Sequence, residues 1–232
     1  MPVTKCVVLL GTLALGASMS AGQQLRPSES QANRWQADMD RFAEADAQQT
    51  PPADAVLFVG SSSIRLWNLD RWFPGETTIN RGFGGSQICD STHFAEQIVV
   101  SYQPRVIVFY AGDNDIAAGK SPQQVHVDFR AFVDKVRASL PDTPLVFIAI
   151  KPSIARWKLR DAMQEANWLI AEDCAADESL TFVDVWPAML DEEGEPRAEL
   201  FRSDGLHLNT AGYKLWTELL APALTAAHAA AP

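Results

Sequence analysis

Five short strand-like segments, separated by longer amphipathic ones, constrain the fold of this chain more than any other feature. Four of them are apolar and rich in Val, Ile and Phe, and span 55–60, 105–112, 143–150 and 180–185. The segment 76–80, ETTIN, is a weaker candidate strand that ends at a glycine-rich stretch. Segments of this length and composition predict β-strands, and strands that are apolar throughout require cover on both faces of their sheet. The alternation with helical segments therefore predicts an α/β fold, a three-layer αβα sandwich with a central parallel sheet of about five strands.

The segments between the strands carry apolar residues at helical spacing. Before the first strand, Trp35, Met39 and Phe42 recur at intervals of three and four residues and predict an amphipathic N-terminal helix. Further helices are predicted over 86–102, 121–140, 156–177 and from the last polar loop to about residue 227. No internal repeat or long linker divides the chain, so 23–232 is predicted to form a single domain with an N-terminal helix.

The first 22 residues have the pattern of a cleaved secretory signal peptide. Lys5 precedes an apolar run that begins at Cys6, and small residues follow between Ser20 and Gly22. The apolar run is short for a membrane span, and a membrane anchor is the alternative interpretation. We therefore expect an exported protein, periplasmic or secreted, without stable insertion into a membrane.

Net charge and cysteine content narrow the possible partners. The formal charge is −10, and phosphate backbones need clustered Lys and Arg, so nucleic acid and anionic membranes are not expected to be main partners. Cys89 and Cys174 remain after the signal segment, and they either form a disulfide or are buried separately. No Cys-x-x-Cys or Cys/His spacing suggests a zinc site.

Four polar or glycine-rich segments fall where predicted elements meet. GSSS follows the first strand, RGFGGS the second and AGDND the third, while SDGLH precedes the last helix. Ligands of parallel sheets bind beyond the carboxyl ends of the strands. We therefore expect these four segments to converge on one edge of the sheet and to form a functional site.

These segments contain residue types suited to hydrolysis. His207 follows Asp204 by three residues, so the carboxylate can orient the imidazole, although Asp/His pairs at this spacing also occur in ordinary loops. Gly85 can offer a main-chain N–H, and Asn114 a side-chain amide, to a developing oxyanion. A β–α turn and an Asx turn explain the same two residues without catalysis. The other histidines are interpreted as structural: His93, His126 and His228.

The serine stretch alone does not identify a nucleophile. Gly60 and Ser62 fit the start of a G-x-S-x-G elbow, but Ile64 stands where the second glycine belongs. A phosphate-binding loop would need G-x-x-x-x-G-K-[ST], which is absent from the stretch. A solvated turn and a nucleophile both remain possible at this point.

Taken together, the four segments resemble the blocks of the SGNH, or GDSL-like, hydrolases. FVGSSSI, NRGFGGSQ, YAGDND and SDGLHLNTAGY occur in the family's order between residues 56 and 216. The resemblance implies the flavodoxin-like SGNH hydrolase fold and a serine esterase that needs neither a metal nor an organic cofactor. In one departure, Ser61 stands where the family's name-giving aspartate usually lies. Ser63 is expected to lie at a helix start without a chemical role.

Carried over block by block, the resemblance assigns roles to five residues. It implies Ser62 as the nucleophile, His207 as its base and Asp204 as the carboxylate that orients the base. The main-chain N–H groups of Ser62 and Gly85, with the Asn114 side chain, would form the oxyanion hole. The implied reaction is acyl transfer from an ester to water.

The substrate is predicted only by class. We expect a small-molecule ester with a small acyl group, such as acetyl, on a carbohydrate or a lipid. Export and the seven tryptophans are the only support for the carbohydrate. Trp67, Trp72 and Trp157 are candidates for a sugar-stacking rim, although core packing explains them better. The predicted substrate-binding residues are Trp67, Phe83 and Asp113. A lysophospholipase or thioesterase of the same family is the nearest alternative.

Two interpretations from other classes remain. A non-catalytic carbohydrate-binding member would keep the fold and the groove, and the Ser61 departure is its only support. Metal-assisted hydrolysis through Asp113, Asp115 and Asp204 is the second. The intact serine, histidine and aspartate favour the enzyme, because a binding module has no need of all three.

Overall fold

The computed structural model describes Met1 and residues 34–230, so residues 2–22 of the predicted signal segment lie outside the described part. At its centre is a sheet of five parallel strands in the order β2-β1-β3-β4-β5. The strands are β1 Val56–Gly60, β2 Thr78–Gly82, β3 Val106–Tyr110, β4 Leu145–Ile148 and β5 Leu180–Val183. The predicted αβα sandwich around a parallel sheet is confirmed.

Helices cover both faces of this sheet. The α-helices are α1 Gln36–Gln48, α2 Ser62–Arg65, α3 Leu69–Trp72, α4 Ile88–His93, α5 Ala95–Ile98, α6 Asp113–Ala117, α7 Pro122–Arg137, α8 Arg160–Ala176 and α9 Thr210–Ala230. Short 3₁₀-helices span Val100–Tyr102, Ile154–Leu159, Pro187–Met189 and Ala198–Leu200. In the part of the chain that the structure describes, no helix combines the length and apolarity needed to cross a membrane.

Alternate side chains of each strand point to opposite faces, which creates two apolar cores. In β1, Leu57 and Val59 share a core with side chains of α1, α7 and α8, while Val56 and Phe58 share the other core with α9. Every residue of β1 and β3 is buried. Cover on both faces explains why these strands are apolar throughout and show no alternation of apolar and polar residues.

The register of β2, β1 and β3 aligns their carboxyl ends. Gly60 of β1 pairs with Gly82 of β2 and with Tyr110 of β3. The loops that follow these strands therefore begin side by side at the carboxyl edge of the sheet. They carry GSSS, RGFGGS and AGDND, so three of the four polar segments meet at one edge as expected.

Several helices differ from those predicted. The segment 86–102, predicted as one helix, forms α4, α5 and a 3₁₀ turn, because Phe94 and Val99 leave helical dihedral angles. The segment predicted as a helix from residue 156 begins as a 3₁₀-helix before α8. Helices α2, α3 and α6 have only four or five residues each. Such short helices show no apolar periodicity from which to predict them.

Both cysteines of the described residues are free thiols. Burial raises the pKa of the Cys89 thiol to about 11 and that of Cys174 to about 12. Both side chains therefore stay protonated at neutral pH, in their less reactive form. The alternative of separate burial is the one observed.

A buried ion cluster joins α6 to α7. Lys120 Nζ lies 2.8 Å from Asp115 Oδ1 and 2.6 Å from Asp128 Oδ2, and both carboxylates are almost completely buried. Asp115 also accepts the main-chain N–H of Ile88 at 3.2 Å, which ties α6 to α4. Because a buried carboxylate without a counterion is costly, Lys120 stabilises the contact of three helices.

Lys120→Met is expected to lower the free energy of unfolding by about 3–5 kcal/mol, because it leaves Asp115 and Asp128 buried without a counterion. Urea denaturation followed by circular dichroism measures the loss. Lys214→Met is the matched control: its 3.8 Å ion pair with Glu218 is exposed, so the expected loss is below about 1 kcal/mol. Equal losses in the two variants would contradict the role assigned to Lys120.

Candidate active site

The turn after β1 presents Ser62 at the edge of the sheet. Gly60 has φ +132°, and a Cβ there would lie 1.9 Å from the carbonyl oxygen of Tyr110, so the turn requires glycine. The N–H of Ser61 donates to that Tyr110 oxygen at 3.0 Å, and the N–H of Phe83 donates to the Gly60 oxygen at 2.9 Å. β1 is thus held to both neighbours up to its last residue, and α2 begins at Ser62.

A continuous line of hydrogen-bonding groups runs from Ser62 through His207 to Asp204. Ser62 Oγ lies 3.1 Å from His207 Nε2, and His207 Nδ1 lies 2.7 Å from Asp204 Oδ2. The carboxylate favours a proton on Nδ1, which leaves the Nε2 lone pair directed at the serine hydroxyl. The structure therefore brings together the three residues predicted as nucleophile, base and orienting carboxylate.

Asp204 is fixed by the loop that it begins. Its Oδ1 accepts the main-chain N–H groups of Leu206 and His207, each at 2.9 Å. The hydrogen bond from the His207 side chain, with those two main-chain bonds, holds the pKa of Asp204 well below its ordinary range. Gly205, with φ +63°, provides the left-handed turn of this loop. Asp204 is therefore ionised at neutral pH and holds the imidazole ring in place.

The donors predicted to form an oxyanion hole lie in the loops around Ser62. Gly85 has φ +80° and follows β2; within the described residues, neither its N–H nor that of Ser62 donates to an acceptor. Asn114 Nδ2 donates to the main-chain oxygen of Ser86 at 2.9 Å, which ties the third loop to the second. The amide group of Asn114 has a second N–H, so all three positions retain a donor for a ligand.

Arg156 fixes the orientation of the Asn114 amide. Its Nη2 donates to Asn114 Oδ1 at 2.8 Å, so the amide oxygen points to the guanidinium and the NH₂ group points away from it. Arg156 Nη1 also lies 2.8 Å from Asp113 Oδ2. The buried ammonium of Lys151 donates to the same carboxylate oxygen at 3.2 Å and to the Tyr110 hydroxyl at 3.1 Å.

Two cations and one carboxylate therefore lie behind Asn114. Burial raises the pKa of Asp113, but the charges of Lys151 and Arg156 outweigh burial and hold the pKa below its ordinary value. Excess positive charge at this place suits a developing negative charge on a substrate oxygen. Sequence reasoning missed Lys151 and Arg156, although both follow the fourth strand and so belong to the same carboxyl edge.

Burial corrects the prediction of three substrate-binding residues. Trp67 is 2% exposed and packs edge-on against Phe58, and Phe83 is fully buried with its ring 5.4 Å from that of Trp35. Asp113 is buried and engaged by the two cations behind Asn114. These side chains fill the space between the sheet edge and its flanking helices, so they support the site and do not line it.

The other two tryptophans considered for a sugar-stacking rim are partly exposed. Trp157 stacks on Trp186 at a centroid distance of 6.1 Å. Trp72 lines a groove of about 260 Å³ between α3 and the start of α9. A stacking role for these two stays a prediction.

The three carboxylates considered for a metal site do not act together. Asp113 pairs with the two cations behind Asn114, Asp115 pairs with Lys120, and Asp204 accepts N–H groups of its own loop. Across residues 34–230, no group of three His, Cys, Asp or Glu side chains is placed to hold a metal ion. The geometry therefore gives no support to a metal site built from these carboxylates.

The serines on either side of Ser62 are buried, whereas Ser62 is partly exposed. The Ser61 hydroxyl has no hydrogen-bond partner among the described residues, so only the main chain of Ser61 holds the loop. The main-chain oxygen of Ser63 accepts the Tyr213 hydroxyl at 2.9 Å. Of the three serines, Ser62 alone has its hydroxyl within hydrogen-bond distance of an imidazole.

Comparisons with known proteins lead to one family. The model of the GDSL-like Lipase/Acylhydrolase family matches residues 14–215. A search of curated protein sequences finds no match.

Solved structures share the fold at low sequence identity. A Streptococcus pneumonia protein provisionally named a platelet activating factor has TM-score 0.74 and 22% identity, over 84% of this chain and 95% of that chain. A GDSL-like lipase from Bacteroides thetaiotaomicron has TM-score 0.68 and 21% identity, over 82% and 98%. A carbohydrate esterase family 3 structure from Talaromyces cellulolyticus has TM-score 0.57 and 16% identity, over 73% and 95%.

Gly60→Ala is expected to lower the free energy of unfolding by at least about 3 kcal/mol, because the new methyl group meets the Tyr110 carbonyl and the φ angle disfavours L-residues. Gly75→Ala is the control: a Cβ at Gly75 meets no atom within 4 Å, so stability should change by less than about 0.5 kcal/mol. Urea midpoints measure both. A Gly60→Ala midpoint equal to that of the wild type would contradict the requirement for glycine.

Proposed function

The chain belongs to the GDSL-like lipase/acylhydrolase family, and on that premise we propose that it is an exported serine esterase that removes small acyl groups, acetyl among them. The observation that carries the proposal is the hydrogen-bonded line from Ser62 through His207 to Asp204. Export is proposed from the signal-like first 22 residues.

The proposed acylation step uses the groups in the order in which they lie. His207 Nε2 accepts the hydroxyl proton as Ser62 Oγ attacks the ester carbonyl carbon, and the Asp204 carboxylate stabilises the imidazolium. The oxyanion accepts hydrogen bonds from the N–H groups of Ser62 and Gly85 and from the Asn114 amide. The imidazolium then protonates the leaving alcohol oxygen as the carbon–oxygen bond breaks. The acyl group remains on Ser62.

Water completes the turnover at the same groups. His207 accepts a proton from water as the water oxygen attacks the acyl carbon, and the oxyanion occupies the same donors. The imidazolium then returns the proton to Ser62 Oγ, which leaves as the carboxylic acid forms. His207 mediates every proton transfer in the scheme, and the main-chain N–H groups only donate hydrogen bonds to the oxyanion.

An acetyl ester on a carbohydrate is the proposed substrate class. Its support is the likeness in fold to a carbohydrate esterase family 3 structure, together with the partly exposed Trp72 and Trp157. A non-catalytic binding member is disfavoured, because binding alone does not require an imidazole aligned between a serine hydroxyl and a carboxylate.

Ser62→Ala is expected to lower kcat with 4-nitrophenyl acetate by at least about 10³-fold, because the variant lacks the nucleophile. Ser63→Ala is the matched control, one residue further along α2, and is expected to keep most of the activity. Release of 4-nitrophenol measures both rates. A wild type no faster than Ser62→Ala would refute the esterase proposal.

Asn114→Ala is expected to lower kcat by about 10²-fold or more through loss of an oxyanion donor. Arg156→Met removes the donor to Asn114 Oδ1 and is expected to lower kcat about tenfold, with KM changed by less than about twofold. If Arg156 acts through Asn114, the double variant is no slower than Asn114→Ala alone. Losses that multiply in the double variant would instead show that Arg156 acts independently of the amide.

A further inference from the structure

The arginines that lack a carboxylate partner gather around the candidate site. Among the described residues, seven arginines have a carboxylate oxygen within 4.0 Å. The arginines of that same part of the chain without such a partner are Arg34, Arg65, Arg71, Arg137 and Arg202. Arg137 donates instead to Ser179 and to main-chain oxygens. The remaining four are exposed. Arg34 and Arg65 lie against the glycines of the RGFGGS loop, Arg202 is bonded through its main chain to His207, and Arg71 lines a groove together with Arg202.

Two of these arginines flank the loop of the proposed oxyanion glycine. Arg65 lies one turn after Ser62 on α2, and its guanidinium packs on Gly84: a Cβ built there would lie 2.9 Å from Arg65 Cζ. A Cβ built on Gly85 would lie 3.6 Å from Arg34 Nη2. Residues three apart on a helix lie on the same face, so Arg65 and Ser62 lie on the same face of α2.

The other two arginines line the groove of about 260 Å³ that Trp72 also lines. Its walls include Leu66, Arg71, Trp72, Arg202, Asn209 and Tyr213. The main-chain N–H of Arg202 donates to the His207 oxygen at 2.8 Å, so the groove adjoins the loop of the base. The Arg71 guanidinium lies over the Trp72 ring, 5.0 Å from its centroid.

These four arginines contrast with the net charge of the chain. The protein has 29 acidic residues against 19 Lys and Arg. Most arginines of the described part pair with a carboxylate, whereas Arg34, Arg65, Arg71 and Arg202 have no carboxylate oxygen within 4.0 Å among the described residues. Behind Asn114, two cations face one carboxylate. Clustered charge of one sign raises the local concentration of ligands of the opposite sign. Guanidinium groups bind carboxylate and phosphate in a bidentate manner.

We infer that the substrate of the site is an ester that carries an anionic group, a carboxylate or a phosphate, near the bond that is cleaved. Arg65 and Arg34 bind the anion when it lies on the side of the oxyanion loop, and Arg71 and Arg202 bind it when it lies in the groove. The inference rests on the proposed esterase function and narrows its substrate class.

Matched ester pairs test the inference and locate the anion. For charge on the acyl part, 4-nitrophenyl hemisuccinate is compared with its neutral methyl ester. For charge on the alcohol part, 4-acetoxybenzoate is compared with methyl 4-acetoxybenzoate. Each kcat/KM is divided by the hydroxide-catalysed rate constant of the same ester, which removes differences in intrinsic reactivity. The measured quantity is the ratio of anionic to neutral ester.

The wild type is expected to prefer the anionic member of at least one pair by about tenfold or more. The ratio should fall toward one as NaCl rises from about 0.02 M to about 0.5 M, because salt screens exposed charges. Arg65→Gln should lower the ratio for an anion beside the oxyanion loop, and Arg71→Gln that for an anion in the groove. Arg130→Gln, the same charge change on α7, should leave both ratios as in the wild type.

A wild-type ratio of one or less in both pairs overturns the inference, as does a preference that neither Arg65→Gln nor Arg71→Gln reduces. The wild-type ratio and its dependence on salt decide the matter even if a variant fails to fold. Failure of the proposed function is distinct: the wild type would then hydrolyse none of the four esters faster than Ser62→Ala, and both proposals fall together. If hydrolysis requires Ser62 but shows no preference for the anionic esters, the esterase proposal stands and the inference of an anionic substrate is refuted.

Discussion

Main-chain pairing of β1 with both neighbouring strands, continued to Gly60, is the constraint on which the rest of the site depends. Gly60 lies level with Gly82 and Tyr110, so three loops leave the sheet together. Ser62 and Asn114 come from two of these loops, and the third carries the oxyanion glycine. Strand pairing thus determines where these loops begin, and side-chain contacts then orient the individual groups. These strands are parallel, so each pair is joined by a crossover connection that contains helices. Strand pairing therefore forms together with the packing of those helices.

The sequence was sufficient for the fold, because the signals for strands and their ends are local. The residues of the hydrogen-bonded line were assigned only by the order of four blocks that resembles the SGNH hydrolases, since neither the serine stretch nor the Asp/His pair identified them alone. Fully apolar strands mark burial on two faces, and a glycine with a polar residue after such a strand marks its carboxyl end. The aromatic residues near the loops could not be placed in this way. Trp67 and Phe83 have the same local sequence pattern whether they line a groove or enter a core, and packing of α1 and α9 decides between the two.

The cations behind Asn114 escaped prediction for a different reason. Lys151 and Arg156 follow an apolar strand in a segment that resembles a solvated loop, and their partners lie 38 to 43 residues away in the sequence. No local pattern reports a pairing over that distance. Lys151 is only 1% exposed, which is rare for lysine unless it is paired. Buried ion pairs contribute little net stability. The effect of the Arg156–Asp113 pair is geometric, because Arg156 donates to Asn114 Oδ1 and so orients the amide group.

The 3₁₀ segment Ile154–Leu159 contacts both halves of the site. The N–H of Ala155 donates to the Gly205 oxygen at 3.0 Å, inside the loop of the imidazole, and the next residue, Arg156, holds the amide of Asn114. The same short segment thus holds both the loop of His207 and the amide of Asn114. A displacement of this segment would move both groups, so the positions of the base and of the oxyanion donor depend on each other.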